Sequence, residues 1–472
     1  MATVALASAT TQPAAAALVP AGQPEPSAYG GVLLLAQAWQ ALDGMAALAE
    51  GIHWQGRDAA LVLFGLVALP VLPLRSVRAI ATRCAGADPL WRALGWQGAL
   101  SQRRLARFAA SGRHDWLAVL TGMARALARH PATALAGPVV LALDSTTVEK
   151  RYGPRLPHRQ PVYDSCQQRL VDGHELVSAY VSDGRRGWPL GLVPHVPLPK
   201  AARRRRKARP GELPSKLDQA LELVDRARPA GLSSLTVVGD GAYSVQWFLS
   251  ELEARELDWL VATRADRRLR IGAEIRAFRD WVLELPLERL SAAPGGKTLW
   301  GACLPQATLL ERHCNQRGLA CRPVYVERRD AQGRVEHRWY LLARRRDLAL
   351  ATLWHTWQQR WPVEGLHRDG KQALHLEDYH GRTWAEIVAW VVATSLRASL
   401  LAFLQAVEPT CQGLACPALV DSLDHLPCLV QPTAHGLVQI PPPPTLPTSV
   451  LWHTTDPPPL PAKYWPIRLA AA

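Results

Sequence analysis

Two aspartates in this sequence have the surroundings that metal-dependent chemistry requires. Asp144 follows the apolar run 138–143 (PVVLAL), and Asp240 follows the run 234–239 (SLTVVG). Short apolar runs of this kind predict buried strands, each ending at its aspartate. Because ligands bind at the carboxyl ends of strands in open α/β sheets, the two aspartates are candidates for one site. Either aspartate alone would more often cap a turn.

A third carboxylate, Glu364, lies in a segment with an unusual arrangement of charge. Arg360, Glu364, Arg368 and Lys371 are spaced by four, four and three residues, so a helix would place them on one face, after Trp357. One salt bridge would satisfy Glu364, yet three cations accompany it. The pattern makes sense if the carboxylate binds a metal ion while the cations hold phosphates. The alternative is an ordinary helix of i,i+4 salt bridges.

This segment resembles the DDE transposases of bacterial insertion sequences, in particular insertion-sequence family four. That group carries a Y-x2-R-x3-E-x6-K signature, which Arg360, Glu364 and Lys371 match in type and spacing. Trp357 stands where tyrosine is usual, which keeps an aromatic ring but loses the hydroxyl. The resemblance covers about residues 138–404. It implies a ribonuclease-H-like catalytic core interrupted by a β-rich insertion.

The resemblance also implies a catalytic mechanism and its residues. Asp144, Asp240 and Glu364 would be the catalytic metal ligands, because carboxylates suit hard cations such as Mg²⁺, with Mn²⁺ as a substitute. Two ions per site, about 3.5–4 Å apart, would stabilise the attacking and leaving oxygens. Water would free a 3′-OH at the element end, and that hydroxyl would attack target DNA. The candidate DNA-binding residues are Trp357, Arg360, Arg368, Lys371, Arg203, Arg204, Arg205, Arg206 and Lys207.

The composition agrees with a polyanionic partner. The chain has 472 residues and a net charge of 54 − 40 = +14, and 47 of its 54 cations are arginine because only seven are lysine. Arginine's planar fork matches phosphate oxygens. A GC-rich genome would also raise arginine, without explaining the shortage of acids. The predicted partner is double-stranded DNA, both terminal inverted repeats and target, bound by a homodimer on paired ends.

Three features argue against a membrane or secreted protein. The first 28 or so residues are Ala-rich and contain no Lys or Arg, unlike a secretory signal. The longest apolar run, 59–74, contains Pro70 and Pro73 and is shorter than the roughly 20 residues that span a bilayer. The eight cysteines form no CxxC pair and indicate a reducing compartment. We therefore expect no membrane partner and a cytoplasmic, nucleoid-associated bacterial protein.

The pattern of apolar periodicity divides this α/β chain into six parts. They are a disordered leader (1–28), a helical DNA-binding region (29–136), a first core part (137–265), a β-rich insertion (266–346), a helical second core part (347–405) and a Pro-rich tail (406–472).

Three other functions are compatible with parts of the pattern. A domesticated endonuclease of the same fold would cut DNA without transposing. A DNA-binding regulator would have no reason to keep three acids together. A carboxylate-pair glycosidase would need neither the arginine and lysine beside the glutamate nor the basic excess.

Overall fold

The computed structural model describes residues 25–27, 29–54, 59–72, 74–86, 88–93, 99–150, 156–164, 167–196, 215–293, 296–311, 314–426, 428–432 and 438–439. Helices dominate the N-terminal part, and strands alternate with helices after it. In this described part, the helices before the main sheet are α1 (Gly30–Ala41), α2 (Gly44–Ala49), α3 (Ala59–Val67), α4 (Val77–Cys84), α5 (Pro89–Ala93), α6 (Gln102–Ala109) and α7 (Trp116–Arg129).

The centre of the fold is a mixed sheet. Strand β1 (Glu25–Ser27) lies apart from it. The sheet begins with β2 (Val139–Glu149), β3 (Gln160–Asp164), β4 (Arg169–Ser182), β5 (Gly187–Pro194), β6 (Leu235–Gly239) and β7 (Asp258–Ala262), with helices α8 (Lys216–Ala227) and α9 (Gln246–Ala254) between strands.

The order of the central strands is β5–β4–β2–β6–β7. The pairs β5–β4 and β4–β2 are antiparallel, whereas β2–β6 and β6–β7 are parallel. The parallel pairs are buried on both faces, which explains why the strands read as continuous apolar runs. The predicted α/β class is confirmed, and the arrangement is consistent with a ribonuclease-H-like core.

A set of antiparallel strands extends this sheet instead of standing apart from it. The strands are β8 (Arg268–Ile271), β9 (Glu274–Ala277), β10 (Glu288–Ala293), β11 (Lys297–Cys303), β12 (Ala307–Glu311), β13 (Cys314–Arg329) and β14 (Val335–Ala343), with the short helix α10 (Phe278–Val282). Strand β14 pairs antiparallel with β7, Leu342 lying opposite Val261. The strand-rich region is therefore continuous with the core.

Helices complete the chain after the strands. They are α11 (Leu350–Gln358), α12 (Trp361–Gln372), α13 (Trp384–Val407) and α14 (Cys416–Asp424), followed by strands β15 (Cys428–Pro432) and β16 (Val438–Gln439). Strand β1 pairs with β15, which brings the two ends of the described chain together.

Helix α13 is the central helix of the core. By length and composition it would be long and apolar enough to cross a membrane, but 83% of its most apolar window is buried inside the fold. The guanidinium of Arg397, which is fully buried, donates to the carbonyl oxygens of Leu66, Val67 and Leu374 at 3.1, 3.1 and 2.8 Å. It also lies 4.6 Å from the ring of Trp390. Arg397 therefore fastens the N-terminal helices to the core.

Several sequence predictions need correction. The strand around Asp144 continues to Glu149, so Asp144 lies inside β2 rather than at its end. The helical segment predicted from 347 to 404 was expected to break once, near Pro362; it has that break and a second one, because residues 373–383 between α12 and α13 are not helical. Pro362 in the first turn of α12 marks the first break, because proline is tolerated there but not in a helix interior.

The two ends are also more ordered than predicted. Glu25–Ser27 of the predicted disordered leader forms β1, and the predicted Pro-rich tail contains α14. The rest of the leader, the tail beyond residue 439 and the basic run from Arg203 to Lys207 lie outside the described residues.

A polar clasp holds the segment between α12 and α13 against the sheet. The buried Lys150 donates to the carbonyl oxygens of Glu377 and Tyr379, the latter at 2.9 Å, and its ammonium lies 3.5 Å from the Tyr379 ring. His174 Nε2 lies 2.7 Å from the Pro157 carbonyl oxygen, and His174 Nδ1 lies 2.7 Å from the Tyr379 hydroxyl. A carbonyl only accepts, so Nε2 carries the proton and Nδ1 accepts from the tyrosine.

This clasp predicts an acid-sensitive contribution to stability. Burial, reinforced by the charges of Lys150, His158 and Arg159, lowers the pKa of His174 below its usual 6.5. A lowered folded-state pKa contributes stability that is complete above the unfolded pKa and is lost as the pH falls towards the folded pKa. We expect His174→Gln to have a flatter dependence of melting temperature on pH between 5 and 7. Parallel curves for the variant and the wild type would contradict the assignment.

Candidate active site

Strand register places the two aspartates side by side. Leu143 of β2 lies opposite Gly239 of β6 in the parallel ladder, so the next residues, Asp144 and Asp240, are neighbours where β6 ends. The Asp240 carboxylate accepts from the Ala242 N–H at 2.9 Å and caps the turn that follows. Asp240 therefore follows the end of its strand as predicted, whereas β2 continues past Asp144.

Arg360 joins the first aspartate to the glutamate. Its guanidinium donates to Asp144 Oδ2 at 3.2 Å and to Glu364 Oε1. Arg360 precedes α12 with helical backbone angles, so the i,i+4 relation with Glu364 is kept although the helix begins at Trp361. Asp144 and Arg360 have side chains only 14% and 11% exposed, whereas that of Glu364 is 45% exposed. Asp144 and Arg360 therefore form the partly buried floor of the site, and Glu364 lies at its solvent-exposed edge.

Two tryptophans hold the guanidinium in place. It lies 5.2 Å from the ring of Trp357 and 5.5 Å from the ring of Trp361. Trp357 is buried beneath Arg360. It therefore does not lie at the surface where it was predicted to bind DNA. Trp361 is 46% exposed beside the site. Arg360 Nε has no hydrogen-bond partner in the described part of the chain, which leaves one donor unused.

Burial and the neighbouring carboxylates raise the pKa of Asp144. Burial and then the nearby Asp240 raise its pKa to about 6, Glu364 adds to the effect, and Arg360 and the Ser145 N–H only partly oppose it. Among described residues, no three His, Cys, Asp or Glu side chains converge closely enough to hold a metal ion. The donor set nevertheless fits a hard divalent cation, because its carboxylate oxygens carry more negative charge than Arg360 offsets.

The remaining cations of the segment differ in their surroundings. Lys371 is half-buried and forms no ion pair with any described residue. Arg368 is exposed and lies 3.4 Å from Asp369. His367 faces inwards, and burial together with the charges of Lys371 and Arg360 lowers its pKa to about 3.

One polar residue of the site was missed from the sequence. Ser178 is fully buried in β4 and lies directly opposite Asp144. Its hydroxyl donates to the Asp144 carbonyl oxygen at 3.1 Å and lies 2.7 Å from His367 Nε2. Only the pairing register of β2 and β4 identifies Ser178, because nothing in its own sequence neighbourhood distinguishes it.

Two family models match parts of this chain. A family model described as "DDE superfamily endonuclease" matches residues 48–279, and one described as "Transposase DDE domain" matches residues 213–401. The chain belongs to the DDE transposase superfamily. No curated relative matches it. As a DDE protein it is a nuclease-type enzyme of a superfamily that acts on DNA and generally uses divalent metal ions. Membership of insertion-sequence family four stays a prediction.

Proposed function

We propose that this protein is a cut-and-paste transposase of insertion-sequence family four. It would cleave DNA at the ends of a mobile element and join the freed ends to target DNA. The observation that carries the proposal is the meeting of three distant segments: Asp144 and Asp240 are neighbours in the sheet, and Arg360 links Asp144 to Glu364.

The three carboxylates would hold the metal ions, for which we propose two Mg²⁺. When bound, such ions stabilise the attacking and leaving oxygens of an in-line phosphoryl transfer. The protein's own contribution is to orient the DNA. The ammonium of Lys371, which forms no ion pair with a described residue, is a donor for phosphate oxygens near the scissile bond, and Arg360 would contact them beside it.

The N-terminal helices offer a second surface for DNA. Helix α6 buries Leu105 and Phe108 and exposes Arg103 and Arg107 on its other side, and Arg113 is exposed just after it. These three arginines form no ion pair with described residues. Cations without acidic partners are available to phosphates, so we assign this face to the DNA that flanks the cleavage site.

The direct test uses the DNA that flanks the gene. If inverted repeats are present there, a linear substrate carrying them is incubated with the full chain, Mg²⁺ and a target plasmid. We expect cleavage at the repeat ends followed by joined products. Cleavage without joining would favour a domesticated endonuclease, and binding without cleavage would favour a regulator.

We further propose that the active form is a homodimer on paired ends, in the bacterial nucleoid. Crosslinking of the protein on cleaved ends would test the homodimer.

Lys371→Ala is expected to weaken binding of cleaved ends through loss of one phosphate contact. Because each neutralised phosphate releases counterions, the slope of log affinity against log salt should fall by about 0.9. The matched control is Lys216→Ala. The Lys216 ammonium is already paired with Glu175 at 2.5 Å, so removing it should leave the slope unchanged. An unchanged slope in Lys371→Ala would remove this phosphate contact.

A further inference from the structure

A hydrogen-bonded chain connects helix α12 to the main chain of Asp144. The Ser178 hydroxyl has one proton, which it donates to the Asp144 carbonyl oxygen at 3.1 Å. His367 Nε2 lies 2.7 Å from the same hydroxyl oxygen. Since the serine proton is already used, Nε2 must carry a proton and donate it to Ser178. The chain therefore runs from His367 through Ser178 to Asp144.

The position of each member gives the chain its effect. Ser178 is the cross-strand neighbour of Asp144, and it is completely buried. His367 follows Glu364 by three residues, so both lie on adjacent turns of α12. These two hydrogen bonds thus hold α12, which carries Glu364, against β2, which carries Asp144.

Helix α12 and strand β2 are joined by a second link of a different kind. Arg360 reaches both segments through the carboxylate oxygens of Asp144 and Glu364. Those oxygens are the atoms that a cation would need. The His367–Ser178 link uses the carbonyl oxygen of Asp144 and leaves both carboxylates free. It can therefore keep the segments together when Arg360 turns towards a phosphate.

We propose that His367 is a positioning residue for DNA cleavage, acting through Ser178 to hold Glu364 in place relative to Asp144. The proposal rests on the proposed function, because it takes these acids to be the metal ligands. Outer groups that orient metal ligands typically contribute about 10- to 100-fold to metal affinity or activity. His367 touches neither substrate nor metal in this role.

The test measures Mn²⁺ binding by calorimetry on the full chain and, separately, Mn²⁺-dependent nicking of supercoiled plasmid. We expect His367→Ala to weaken Mn²⁺ binding and lower kcat by about 10- to 100-fold, with little change in the KM for DNA. His367→Gln keeps an N–H donor at a similar reach and should recover most of both. The control is His53→Ala, an exposed histidine of the N-terminal part.

Each outcome decides the proposal. Wild-type Mn²⁺ affinity in His367→Ala would overturn it, as would a glutamine variant no better than alanine. If His367→Ala does not fold, Ser178→Ala decides, because it removes the same link and should weaken Mn²⁺ binding in the same direction. If the wild-type protein binds Mn²⁺ but does not nick DNA, only the proposed function is wrong. The Mn²⁺ affinities of the variants would then still test the role of His367. A wild-type chain that does not bind Mn²⁺ would defeat both.

Discussion

Asp144→Asn is expected to abolish metal-dependent DNA cleavage, with a loss of at least about 1,000-fold. A bound cation supplies several kcal/mol of charge stabilisation to the transition state, and about 4 kcal/mol corresponds to 1,000-fold in rate. Asparagine has nearly the same shape but no charge, so it should retain the fold. It also removes the buried charge and the repulsion from Asp240, the two main causes of the raised pKa of Asp144. Single-turnover cleavage of end DNA measures the effect.

The same result is expected for Asp240→Asn and Glu364→Gln, whereas DNA binding should change little. The matched control is Asp172→Asn, an exposed aspartate of β4 that pairs with Arg159 at 2.8 Å. It should cleave at the wild-type rate. If any one of the three site variants cleaves as fast as the wild type, that residue is not a metal ligand.

The second large effect concerns stability. Arg397→Ala is expected to lower the free energy of unfolding by about 3–5 kcal/mol, because it leaves buried carbonyl oxygens unpaired and opens a cavity beside Trp390. The affected acceptors are the carbonyls of Leu66, Val67 and Leu374, so the loss falls on the junction between the N-terminal helices and the core. Thermal unfolding followed by circular dichroism measures it.

Two further variants sharpen the Arg397 prediction. Arg397→Lys keeps the charge but cannot reproduce the planar fork, so it should be intermediate. Arg129→Ala removes an exposed arginine at the end of α7 and should cost less than about 0.5 kcal/mol. If Arg397→Ala unfolds at the same temperature as the wild type, the carbonyl oxygens must have other partners, and Arg397 does not hold the N-terminal helices to the core.

The sequence predicted the parts of the site that depend on local pattern. Short apolar runs located β2 and β6, and residue spacing brought Arg360 and Glu364 together even though the helix begins after Arg360. These features depend on neighbours within a few residues, which a sequence displays directly.

Features that depend on distant partners were not predictable in this way. Ser178 is part of the site only because β4 pairs with β2 in one register. The polar residues of β2 after Asp144 are in a strand because they pair with β4. They are not apolar enough for the sequence alone to predict that strand. Trp357 was predicted to lie at the DNA surface, whereas packing of α11 against the extended sheet buries it.

The edge-to-edge pairing of β7 with β14 has a consequence for synthesis on the ribosome. The 72 residues between Ala262 and Val335 take about 4–15 s to translate at ordinary rates. During that interval β7 is an unpaired edge beside two parallel strands, and such edges recruit other chains. We expect the nascent protein to be most prone to aggregation, and most dependent on chaperones, in this window. Glu364 emerges only afterwards, so the sheet is closed before the third acid is available.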